Sequence, residues 1–94
     1  MNFMSRKKGT ITFLIDNKKQ TLNVEDAIHL DEENGKGKVN KQFTQDNVFF
    51  AINSIVKKCD WGKIHDICLF LEDGTPIAYS STAYSIMKFS KEEI

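Results

Sequence analysis

The sequence predicts one small α+β domain: an antiparallel sheet of two hairpins, with one main amphipathic helix packed on it. Three observations carry this. Apolar residues alternate with period two from Gly9 to Val24. An apolar stripe at helical spacing runs between Gln45 and Lys58. Two apolar runs flank a turn-forming stretch at residues 72–76.

The first hairpin comes from the alternation. Ile11, Phe13 and Ile15 share one face of an extended segment, and Thr10, Thr12 and Leu14 share the other. Asp16-Asn17-Lys18-Lys19 is turn material, since Asp and Asn tolerate the left-handed conformations of tight turns. Leu22 and Val24 then alternate with Thr21 and Asn23. Residues 1–8 are polar and read as a flexible lead, which leaves 9–94 as the domain.

Residues 24–35 favour a short helix. Asn23 would cap it, Glu25 and Asp26 would sit in its first turn, and Gly35 would end it. Glu25-Asp26-Ala27 has poor β-propensity, which counts against a strand. Residues 31–41 are acidic, glycine-containing and basic, with no apolar residue before Val39, so they read as a solvated loop.

The main helix is predicted from Gln45 to Lys58. Thr44 suits its N-cap, and Phe43 and Val48 suit a hydrophobic staple. Val48, Phe49, Ile52, Ile55, Val56 and Cys59 fall on one stripe, and Gly62 stands where a stop belongs. On this reading both Ile52 and Ile55 are core residues, each costing about 2–5 kcal/mol when cut to Ala.

Ile64–Leu71 is apolar on both faces and reads as a central strand. Glu72-Asp73-Gly74-Thr75-Pro76 is a turn, and Ile77-Ala78-Tyr79 opens the return strand. Near the end, Met87 and Phe89 fit either a helical turn or a strand. Ser90-Lys91-Glu92-Glu93 has the form of a capping box, read here as accidental.

Composition narrows the function classes. With 13 basic and 13 acidic residues the formal net charge is zero, so no bulk field draws the chain to nucleic acid or an anionic membrane. A neutral surface also permits a homodimer. Lysine, Ile and Asn are abundant and Arg6 is the only arginine, a bias that AT-rich codons produce. It suggests a low-GC bacterium or a mobile element. No apolar stretch follows Arg6-Lys7-Lys8 as in a secretory signal, and none is long enough to span a membrane. The expected setting is therefore the cytoplasm, with Cys59 and Cys68 as buried thiols.

No motif for catalysis, cofactor or metal emerges. Cys59, His65 and Cys68 lack the close pairing of structural zinc ligands. The acidic run from Asp31 fails the EF-hand spacing, and Gly35-Lys36-Gly37-Lys38 fails the P-loop spacing. Neither His29 nor His65 stands in a nucleophile motif.

The functional expectation is a small non-enzymatic protein-interaction module, of the regulator or inhibitor kind. Phe50 lies opposite the apolar stripe, beside Asn53 and Lys57. It is either an exposed interface anchor or a residue covered by the first hairpin or the tail. Trp61 is a further contact residue, and Tyr79 ranks with it. The alternative is a nucleic-acid-binding accessory protein. Lys36, Lys38 and Lys41 form one basic group, and Lys57, Lys58 and Lys63 another around Trp61, with Arg6-Lys7-Lys8 as a third.

Overall fold

The alternation from Gly9 does build a hairpin, and it extends well beyond the alternating residues. In the computed structural model, which describes residues 3–33 and 36–94 (for side chains, all of these except Phe3, Glu33 and Lys36), β1 runs Phe3–Ile15 and β2 runs Lys18–Glu33. The turn is Asp16-Asn17, with φ of 50° and 62°. Two positive φ angles make a type I′ turn, whose twist matches that of the flanking strands. Residues 3–8 belong to β1, pairing Phe3 with Glu32 and Lys7 with Ile28.

The short helix expected over residues 24–35 is replaced by the second half of β2. The weak strand formers Glu25-Asp26-Ala27 sit at an irregularity of the ladder. There Gly9 pairs with Val24 and Lys7 with Ile28, so three β2 residues oppose Lys8 alone. Local propensity is thus expressed as a bulge, not a helix. Gly9 makes the bulge fit: a Cβ there would lie 2.7 Å from the Phe70 carbonyl oxygen and 3.0 Å from the Ala27 Cβ. The loop expected at residues 31–41 contains a third strand, β3 (Lys36–Val39), paired with Leu30–Glu33. Asn34 and Gly35, the end assigned to that helix, lie outside the described residues.

The main helix, α1, covers Lys41–Asn53, not Gln45–Lys58. Asn40 caps it, its side chain accepting from the Phe43 N–H at 3.1 Å. Asn40 is itself pinned to β2, because its N–H donates to the His29 carbonyl at 2.8 Å and its amide to Asp31 at 3.0 Å. Thr44, expected as the cap, is fully buried in the first turn. A 3-10 helix, Lys58–Lys63, follows. Ile55 and Cys59 therefore fall beyond α1 and are exposed, while Val56 is buried.

The remaining strands are β4 (Ile64–Leu71), β5 (Pro76–Thr82) and the two-residue β6 (Lys88–Phe89). β4 and β5 form the second expected hairpin, with Asp73 accepting from the Thr75 N–H at 2.9 Å and Gly74 at φ 93°. Among the described residues, six strands join one antiparallel sheet in the order β3-β2-β1-β4-β5-β6.

This corrects the predicted fold class. The molecule is a mainly antiparallel β structure, six strands curled into a half-barrel with one helix, and not a two-hairpin sheet under a main helix. The curl has a visible cause. Bulges interrupt the β1–β4 and β4–β5 ladders as well, and bulges bend sheets. Asp66, at φ 55°, occupies the first of these. The terminal residues then draw the ends together. Three residues past β6, the Glu92 carbonyl accepts from Val39 of β3 at 2.7 Å, and Ile94 donates to the Gly37 carbonyl at 2.9 Å. The tail is thus a strand-like tie along β3, and its capping-box sequence opens no helix.

The core lies inside the curl. Ile11 and Phe13 of β1, Ile28 and Leu30 of β2, Ile67 and Leu69 of β4 and Ile77 of β5 meet Val48 and Ile52 of α1. No helix among the described residues is long and apolar enough to cross a membrane.

Candidate interaction surface

The side of α1 turned from the core carries two large aromatic residues. At 100° per residue, Phe43 and Phe50 are seven positions apart and only 20° apart around the axis. Their exposures are 51% and 73%. The opposite side is spent on the core, with Thr44, Val48 and Ile52 buried. Neither the first hairpin nor the tail covers Phe50. The Phe43 ring leans on β2, its centroid 6.2 Å from that of His29.

The structure separates the other predicted contact residues. Asn53 is exposed at the last position of α1. Lys57 is exposed in the link to the 3-10 helix. Trp61 turns inward, half-buried, its ring 6.4 Å from that of Phe49. Tyr79 stands on the convex side of β5, half-exposed, and donates to Asp66 at 2.8 Å. The staple position of Phe43 conceals it in the sequence as a surface residue. Its seven-residue spacing from Phe50 was the available signal. Tyr84 and Ile86, 74% and 80% exposed in the loop between β5 and β6, were not singled out either.

The lysine groups sit at the two ends of α1, about 20 Å apart for a helix of this length. Each has acidic company. Lys41 pairs with Glu92 at 2.6 Å, and the backbone of Lys38 forms an antiparallel bridge with that of Glu93. Lys63 lies 3.9 Å from Asp60, while Lys57 and Lys58 are exposed. The side chain of Lys36 lies outside the described residues.

Comparison with family models, curated proteins and solved structures finds no match. The chain's own geometry is therefore what speaks to function.

The potential chemical groups are dispersed. Cys59 is exposed in the 3-10 helix, which corrects its placement on a buried stripe. Cys68 is half-buried on β4, and both thiols are free. Among the described residues, no three His, Cys, Asp or Glu side chains converge as metal ligands would.

One ion pair has a pH signature. Lys41 holds the Glu92 carboxyl below its ordinary range, first through the hydrogen bond and then through its charge. A depressed folded-state pKa adds stability above the ordinary carboxylate range, and this is lost as pH falls through the depressed value. The exchange protection factor of the Val39 amide, whose N–H is bonded to the Glu92 carbonyl, should fall at acid pH more than those of core amides. Lys41→Met should abolish that difference. An unchanged pH profile in the variant would show that the pair does not secure the tail.

Proposed function

We propose that this protein is a small interaction module that acts by occupancy, as a regulator or inhibitor does, and docks through the outward side of α1. The observation that carries the reading is Phe50. A phenylalanine 73% exposed in the last turn of a well-packed helix loses the benefit of burial unless a partner supplies it. Aromatic side chains are typical hot-spot anchors. Phe43 extends the apolar strip by two helical turns, and Asn53 gives it a polar margin. The fitting partner is a protein with an apolar cleft wide enough for a phenyl ring.

Site-specific photocrosslinking tests this. A benzophenone amino acid replaces Phe50 in one sample and the exposed Asp73, on the far hairpin, in another. Each is irradiated in nuclease-treated lysate of the source cells. Position 50 should give a discrete protein adduct that position 73 does not. Equal labelling, or none, would reject the reading. An adduct that forms only without nuclease and fades with salt would move the assignment to the lysines. Phe50→Ala should change unfolding free energy by no more than about 0.5 kcal/mol, because little packing is lost. Its loss of binding would then not reflect unfolding.

A further inference from the structure

We propose that a second copy of this chain docks on the free edge of β2, joining the two sheets through residues Lys19–Glu25. This surface is independent of the outward side of α1.

The edge is bounded at both ends. At one end stands the Asp16-Asn17 turn. At the other, α1 takes over the edge: Asn47 donates to the Asp26 carbonyl at 2.8 Å, and Thr44 engages His29. β3 pairs with β2 only from Leu30 onward. Among the described residues, no strand, helix or side chain meets the outer backbone groups between these limits.

Strand geometry says which groups point outward. In a two-residue hairpin the flanking pair, Ile15 and Lys18, is hydrogen-bonded. The register then puts the N–H and C=O of Gln20, Leu22 and Val24 towards β1. Those of Lys19, Thr21 and Asn23 face away, and so does the Glu25 N–H, which the planar peptide sets opposite the inward Val24 carbonyl. They form a row of unmade hydrogen bonds on an edge with no proline, a template for another strand.

The sequence of this edge is complementary to itself. A two-fold axis through Leu22 makes an antiparallel pair in which Lys19 faces Glu25 of the second copy and Thr21 faces Asn23. The same contacts recur on the other side of the axis, as an isologous interface requires. The outward backbone groups belong to these same four residues, so charge and hydrogen bonding select one register. Glu25 is open to a new partner, since its side chain is 83% exposed despite lying 3.5 Å from Lys8. The zero net charge of the chain removes long-range repulsion between copies. A one-residue slip would misplace both charge pairs, and a parallel alignment would set Lys19 beside Lys19.

Sedimentation equilibrium across a concentration series tests the proposal, with circular dichroism to confirm folding. The parent should show a reversible monomer–dimer equilibrium. Lys19→Glu sets acid against acid twice per dimer and should weaken association roughly tenfold or more. The double variant Lys19→Glu with Glu25→Lys restores opposite charges and should recover it. Thr21→Pro removes an outward N–H without touching the β1 ladder, and should leave a folded monomer. A parent that stays monomeric throughout would overturn the proposal. A dimer indifferent to both Lys19→Glu and Thr21→Pro would overturn it too, by placing the interface elsewhere. Failure of the double variant to recover association would overturn the register.

Discussion

Ile52→Ala should lower the unfolding free energy by about 2–5 kcal/mol, while Ile55→Ala should lower it by less than about 1 kcal/mol. The two residues sit three positions apart, and a helix running to Lys58 would bury both. The observed helix ends at Asn53. Ser54 closes it, its hydroxyl donating to the Ala51 carbonyl at 2.6 Å. Ile52 is 1% exposed among Val48 and the inner faces of the strands, whereas Ile55 is 53% exposed. Truncating Ile52 removes three methyl(ene) groups from close packing and leaves a cavity. Truncating Ile55 removes atoms already half in water. A domain of this size has little stability to spare, so Ile52→Ala should be near the limit of folding. Urea unfolding of both variants decides the matter. Equal losses would mean that the helix continues through Ile55.

Thr44→Val should cost about 2–4 kcal/mol, although the two side chains have nearly the same shape. The Thr44 hydroxyl accepts from the His29 N–H at 3.0 Å and donates to the His29 carbonyl at 3.3 Å. One fully buried side chain thus satisfies both edge groups of a β2 residue, where no strand pairs with them. Valine would leave the N–H without its acceptor and the carbonyl with one donor fewer. Thr44→Ser keeps the hydroxyl and should lose only the methyl contribution, about 1 kcal/mol. Thr44→Asp discriminates further. At an N-cap, Asp is as good as Thr or better. At a sealed position against a strand edge it buries a charge. Thermal or chemical unfolding of the three variants should rank Ser above Val and Val above Asp. If Val melted like the parent, the hydroxyl would not join the helix to the sheet.

Both predictions turn on where α1 begins and ends, and this shows what a linear reading can resolve. The sequence reports that a helix exists here, because Val48 and Ile52 recur at helical spacing. Its ends depend on partners distant in sequence. Asn40 becomes the cap because its backbone is bonded to His29, and Thr44 is drawn inside by the same residue. The stripe overshoots at Ile55 and Cys59 because apolar spacing cannot show that the chain has turned away. β2 shows the same limit in reverse. Glu25-Asp26-Ala27 does resist regular pairing, but β1 on one side and Asn47 of α1 on the other hold it as a bulge.

The candidate surface was legible in one residue and hidden in the rest. Phe50 was marked by its angle to the stripe, a property of the helix alone. Phe43 was concealed by its standard staple position. Trp61 turned inward because the 3-10 helix folds it onto Phe49, which no spacing rule predicts. The β2 edge was invisible in the sequence, since an edge is defined by which strands fail to arrive.

By itself the sequence determined the two hairpins, the presence of the main helix, the alternating faces of β1 and the angle of Phe50 to the apolar stripe. Each follows from alternation, helical periodicity or turn chemistry within about fifteen residues. Tertiary structure alone decided that the six described strands curl into a half-barrel, that residues 92–94 tie along β3, that the helix is capped by Asn40 and stops at Asn53, and which strand edge stays open. These depend on pairings between distant segments. A backbone hydrogen bond is nearly indifferent to side-chain identity, so the choice of partner strand is written in the packing of the whole core and not in any one stretch of residues.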